Sequence, residues 1–123
     1  MKTSILLIDD DPGIRGMYEK LLRYEGYEVY SAPNAKQAAE TLFLIQPALV
    51  LLDINLPDFG GEMMFDVMRQ HDPCLKIIVT SVYPIQRQKQ WIRGANNYFD
   101  KSQDTQILLE MIRAALEIEN ISK

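Results

Sequence analysis

Four separated segments carry residue types that could act together on a charged substrate. Asp9, Asp10 and Asp11 follow the apolar stretch Ile5–Ile8, and Asp53 follows a second one, Ala48–Leu52. Thr80 closes a third, Ile77–Val79, and Lys101 comes just after Asn97–Phe99. If these stretches are neighbouring strands, about 4.8 Å apart, the carboxylates crowd together. Like charges at that range repel unless something cancels them. A hard divalent cation does so, and Mg²⁺ favours one or two carboxylates together with waters and phosphate oxygens. Such an ion would also neutralise charge developing on a transferring phosphoryl group. Asp53 then has a task as a carboxylate nucleophile that forms an acyl phosphate. The Thr80 hydroxyl can bond a phosphoryl oxygen, and the long cationic arm of Lys101 can reach across to it.

Each residue also has a plainer reading. Asp11 stands before Pro12 and suits a helix N-cap. Asp9 and Asp10, taken alone, fit a turn as well as a ligand set. Thr80 alone is a strand-end residue, and Lys101 alone a solvated lysine. Asp53 is harder to explain as structure, because an unpaired charge after a buried strand is costly. The joint placement of the set at strand ends favours chemistry. His71 reads as a surface residue rather than a phosphohistidine. Met63, Met64 and Met68 read as core filling, and Trp91 as either a core anchor or an exposed contact.

The elements that must position these residues are visible in the pattern. The three apolar runs do not alternate with polar residues, as expected for strands buried on both faces of a parallel sheet. Glu28–Ser31 and Asn97–Phe99 are two weaker strand candidates. Between them, Ile14, Met17, Tyr18, Leu21 and Leu22 repeat at helical spacing, and Gly26 can end that helix. Asn34 and Gln37 resemble a capping box, with Ala35, Ala38, Ala39 and Leu42 behind them and Pro47 as the stop. Gly61 precedes a third helix with Met64, Phe65 and Met68. Pro84 opens a fourth, whose apolar pattern of Ile85, Trp91 and Ile92 is poor. Ile107, Leu108, Met111, Ile112, Ala115 and Leu116 mark the fifth. Five strand–helix units in succession predict an α/β fold: a doubly wound, five-stranded parallel sheet of order 2-1-3-4-5 with five helices, flavodoxin-like. Ligands of such sheets bind beyond the carboxyl ends of the strands, where the winding reverses, which is where the four segments meet.

Bulk properties agree. The chain has 123 residues, which fits a single domain over 1–123. Its net charge of −4 argues against direct nucleic-acid binding by this chain. Cys74 stands alone and predicts a reducing, cytoplasmic setting. The longest strongly apolar run, Ala48–Leu52, is far short of a membrane span.

The motifs together resemble those of response-regulator receiver domains. Ile5-Leu6-Leu7-Ile8-Asp9-Asp10-Asp11-Pro12 is similar to their first-strand motif. Leu51-Leu52-Asp53-Ile54-Asn55-Leu56-Pro57, with Gly61 eight residues after Asp53, is similar to the phosphoacceptor segment. Ile77-Ile78-Val79-Thr80-Ser81 and Gly94-Ala95-Asn96-Asn97-Tyr98-Phe99-Asp100-Lys101 are similar to the segments carrying the switch threonine, the switch aromatic and the lysine. The resemblance covers nearly the whole chain. It implies Asp53 as phosphoacceptor, with Asp10 and Asp53 binding Mg²⁺ directly, Asp9 through water, and Asn55 through its backbone carbonyl. It implies that Thr80 and Lys101 grip the phosphoryl group and that the Tyr98 rotamer follows Thr80. The implied partners are a histidine kinase or phosphotransfer protein as donor, and a downstream protein or output domain at the face of the fourth helix, fifth strand and fifth helix. Such a chain would catalyse only its own phosphorylation and dephosphorylation.

Two other readings compete. A Mg²⁺-dependent phosphatase with an Asp nucleophile, of the haloacid-dehalogenase type, would carry Asp-x-Asp-x-Thr after the first strand; Asp9-Asp10-Asp11-Pro12-Gly13 lacks the Thr. A scaffold that no longer needs phosphate would not require the complete acceptor set. One departure from the resemblance has a structural corollary. Receivers usually place Pro after the lysine, in a cis bond, and here it is Ser102. A cis bond before a non-proline residue costs about 2.5–4 kcal/mol, so the Lys101–Ser102 peptide should be trans, with Ser102 or Asp104 free to cap the last helix.

Overall fold

In a computed structural model, residues 2–58 and 60–121 are described. The three continuous apolar runs supply most of the fully buried side chains of the sheet. They form β1 (Ser4–Ile8), β3 (Leu49–Asp53) and β4 (Lys76–Ser81), while β2 (Glu28–Ala32) and β5 (Asn97–Asp100) lie at the two edges. All pairings are parallel and the order is β2-β1-β3-β4-β5. The helices are α1 (Pro12–Tyr24), α2 (Ala35–Ile45), α3 (Gly60–His71), α4 (Ile85–Trp91) and α5 (Thr105–Ile121).

Alternate strand residues point to opposite faces, so the sheet has two cores. Leu6, Ile8, Val50, Leu52, Ile77, Val79 and Tyr98 pack against Ala35, Ala38 and Leu42 of α2 and Met64, Phe65 and Met68 of α3. Ile5, Leu7, Leu49, Leu51, Ile78 and Phe99 pack against Tyr18 and Leu22 of α1 and Leu108, Leu109 and Ile112 of α5. This double burial is the reason the central strands show no alternation in sequence.

Local chemistry sets the helix ends. Asp11 Oδ1 accepts from the backbone N–H of Gly13 (2.8 Å) and Ile14 (3.2 Å), with Pro12 at the first helical position. Gly26 follows α1 at φ +95°, a region that favours glycine. Asn34 Oδ1 accepts from Gln37 N–H at 2.8 Å. Before α5, Asp104 Oδ1 accepts from Gln106 N–H at 2.9 Å, while Ser102 folds onto Asp100 Oδ1 instead. No cis peptide bond occurs among the described residues, so Lys101–Ser102 is trans.

Two details differ from the sequence expectations. Gly61 lies inside α3 rather than before it. Met63 and Met17 are about half exposed (54% and 51%), because the helical stripe they belong to is wider than the face that meets the sheet. Trp91, open between a core anchor and an exposed contact, is exposed at the end of α4 and lies edge-on to Tyr83.

Candidate functional site

The parallel register brings the four segments to one end of the sheet. Ile8 pairs with Leu52, so Asp9 and Asp53 leave adjacent strands side by side. Asp53 pairs with Thr80, and Thr80 with Phe99. Asp9, Asp53 and Thr80 are buried, and Asp10 faces solvent.

Lys101 crosses over this end from beyond β5. Its Nζ stands 2.8 Å from Asp9 Oδ2 and 3.1 Å from Asp53 Oδ2. The peptide that starts the lysine loop is fixed by Lys101 N–H donating to the Ser81 carbonyl at 2.8 Å. The trans Lys101–Ser102 bond therefore leaves the ammonium aimed at the carboxylates.

The carboxylates are held from below. Asp53 Oδ1 accepts from Asn55 N–H (3.0 Å), and Asp9 Oδ1 accepts from Asp11 N–H (2.9 Å). The Asp9 carbonyl accepts from Arg15 Nη1 at 2.8 Å. Gly61 presses the start of α3 against the peptide that follows Asp53: its N–H donates to the Ile54 carbonyl at 2.7 Å. A Cβ there would stand 2.5 Å from Ile54 Cα and 2.8 Å from the Asp53 carbonyl oxygen, so only glycine permits this approach.

Burial raises the Asp53 carboxyl to about 6. The Lys101 charge and the Asn55 N–H oppose that rise, and the Asp9 charge adds to it. Burial works against the Lys101 ammonium as well, but its contact with Asp9 and the fields of Asp53 and Asp9 outweigh it and hold it above its ordinary value. Tyr18 of α1 lies close enough to feel the same charges; burial pushes its phenol up.

The set fits a hard cation. Asp9, Asp10 and Asp53 can each offer an oxygen, all within 4.8 Å of one another. Asp9 Oδ2 is buried and ion-paired with the Lys101 ammonium. An all-oxygen cluster of carboxylates suits Mg²⁺ better than a soft metal.

Of the residues singled out in the sequence, Asp9, Asp10, Asp53, Thr80 and Lys101 converge here. Asn55 contributes its N–H. Tyr98 lies elsewhere: its buried hydroxyl donates to the Ile92 carbonyl (2.7 Å) and accepts from Ala95 N–H (3.3 Å). Three residues escaped the sequence reading. Arg15 had no sequence signal, and Gln88, fully buried in α4, showed only as the gap in that helix's apolar pattern. Asp58 accepts from the Ala35 and Lys36 N–H groups at 2.9 and 3.0 Å, from a loop more than twenty residues away in sequence.

A sequence model of the family described as "Response regulator receiver domain" matches residues 5–113. Sporulation initiation phosphotransferase F of Bacillus subtilis (strain 168) is 29% identical over 124 residues, covering 98% of each chain. The transcriptional regulatory protein KdpE of Staphylococcus aureus is 33% identical over 124 residues, but this chain spans only 52% of its length. The crystal structure of a receiver domain protein (CheY-like) from Methanospirillum hungatei JF-1 superimposes with a TM-score of 0.92 at 28% identity, covering all of both chains. Response regulator protein TrrA from Thermotoga maritima, solved in complex with Mg²⁺-BeF, gives 0.86 at 33% identity over 94% of this chain and 100% of its own. Among the described residues, no helix is long and apolar enough to cross a membrane.

Proposed function

The chain belongs to the response regulator receiver family, and from that premise we propose that it accepts a phosphoryl group on Asp53 and uses it to switch a protein-interaction face. One observation carries the reading: a buried carboxylate at a strand end, 3.1 Å from a lysine and within reach of two further aspartates. A structural role does not account for so much charge gathered in one buried place.

The donor is the phosphohistidine of a histidine kinase or phosphotransfer protein. An Asp53 oxygen attacks phosphorus, and the P–N bond breaks with its electron pair passing to the imidazole, which takes up a proton. The product is an acyl phosphate on Asp53, later hydrolysed by water. Asn55 N–H holds Oδ1 and Lys101 holds Oδ2, so the carboxylate is oriented before a donor arrives. Asp10 and Asp53, Asp9 through water and the Asn55 carbonyl would hold Mg²⁺, which would supply charge neutralisation when bound. Lys101 then turns from Asp9 to the phosphoryl oxygens, and Thr80 donates its hydroxyl to another. The chain turns over no metabolite.

The switch is read at the face of α4, β5 and α5. Tyr98 of β5 is buried, and its two hydrogen bonds to the segment between α4 and β5 tie its position to that of α4. Incubation with acetyl phosphate and Mg²⁺ followed by intact mass measurement tests the site. One phosphate adduct is expected, absent in Asp53→Asn and suppressed by excess EDTA. An adduct that survives Asp53→Asn would refute the assignment.

A further inference from the structure

Helix α4 is held to the sheet by a polar side chain. Gln88 is its one buried residue. The Gln88 Nε2 donates to the Tyr83 carbonyl at 2.8 Å and to the Phe99 carbonyl at 3.0 Å. Tyr83 belongs to the loop between β4 and α4, three residues after Thr80. Phe99 is the β5 partner of Thr80, two residues before Lys101. A single amide nitrogen thus ties together the chain segments that leave Thr80 and approach Lys101.

The orientation of that amide is forced. Both neighbours are carbonyls, which only accept, so the NH₂ group must face them. Among the described residues the buried Oε1 has no hydrogen-bond partner, an arrangement that costs free energy. An apolar residue would attach the helix without that penalty. What the amide adds is direction: it specifies one distance between the loop and β5.

We propose that Gln88 is a positioning residue that brakes the switch, holding the β4–α4 loop against β5 until Thr80 is drawn toward a phosphoryl group. The proposal rests on the reading of Asp53 as phosphoacceptor. Phe99 stays in the sheet, while Tyr83 travels with the loop. One nitrogen cannot follow both carbonyls as they separate, so movement breaks the bond to Tyr83. The brake is therefore weak, worth about one net hydrogen bond. At the other end of α4, the Tyr98 hydroxyl on the Ile92 carbonyl keeps the helix terminus in place, which leaves the β4–α4 loop as the part that Gln88 restrains.

Gln88→Met keeps length and volume but donates nothing. Removing the restraint raises the fraction of molecules ready to accept an activating ligand, and apparent affinity rises with that fraction. The test is a titration of the full chain with beryllofluoride in Mg²⁺, followed by the fluorine NMR signal of the bound species. Gln88→Met should bind about fivefold more tightly, the weight of one net hydrogen bond. A merely structural role would leave the affinity of the folded variant unchanged; equal or weaker binding overturns the proposal. Should the variant not fold, the wild-type side-chain amide protons of Gln88 serve instead. They should be shifted and protected in the resting chain and should change on saturation with beryllofluoride; an unchanged signal overturns the brake. A wild-type chain that binds no beryllofluoride at all overturns the phosphoacceptor reading itself.

Discussion

Replacing Asp53 by Asn should stabilise the fold while abolishing its chemistry. Burial raises the Asp53 carboxyl from 3.8 to about 6 in the folded chain. A group whose folded pKa is raised is most compatible with folding when protonated. The stability it permits is fully present below about pH 4 and is lost as pH rises through about 6. Each unit is worth about 1.36 kcal/mol, so above about pH 7 the ionised carboxylate costs the fold up to roughly 3 kcal/mol. Asparagine copies the neutral acid in shape, and Lys101 keeps Asp9 as its partner at 2.8 Å. In excess EDTA, urea unfolding above about pH 7 should therefore show Asp53→Asn more stable by up to roughly 3 kcal/mol, on the order of 10 °C in Tm. The gap should close toward about pH 4, where wild-type Asp53 is protonated as well. Mg²⁺ should narrow it at neutral pH by stabilising the wild type through binding. A variant no more stable than wild type in EDTA at neutral pH, or a gap independent of pH, would refute the reasoning.

Asp10→Asn removes the solvent-facing oxygen of the cluster and should weaken Mg²⁺ binding at least tenfold, read as a lost Mg²⁺-dependent rise in Tm; an unchanged Mg²⁺ response would remove Asp10 from the ligand set. Gly61→Ala drives a methyl into the peptide after Asp53 and should cost roughly 1–3 kcal/mol, with a slower rate of acetyl-phosphate labelling; a neutral effect on both measurements would contradict the close approach. Beryllofluoride with Mg²⁺ should shift the Tyr98 resonances and those of the surrounding α4–β5–α5 surface; silence there would defeat the switch reading.

Much of this architecture was legible in the sequence because burial on both faces leaves a plain signature. Ile5–Ile8, Ala48–Leu52 and Ile77–Val79 are apolar without alternation, and each becomes a central strand. The site residues were legible because parallel winding sends every strand's carboxyl end to the same edge, so Asp9, Asp53, Thr80 and Lys101 had to approach one another. Partners across long sequence separations were not legible. Nothing in the spacing of Lys101 shows that it pairs with Asp9 as well as Asp53, since that depends on the path of a loop. The weak pattern of α4 was visible but not its cause, because a glutamine normally marks a solvent-facing position. Met63 was misread because helical spacing reports a stripe, not how much of it the sheet covers.

The contact from Asp58 to the first turn of α2 has an engineering consequence. The two orphan N–H groups at that helix start are satisfied by a side chain borrowed from the loop after β3, not only by the helix's own cap at Asn34. The loop and the helix start thus form one interchangeable part. A chimera that imports a foreign β3–α3 loop without the matching α2 start would leave those amides unmet, and an insertion in the loop would withdraw the carboxylate from a helix that is remote in sequence. Transplants between related chains should therefore move residues 34–36 and 54–58 together.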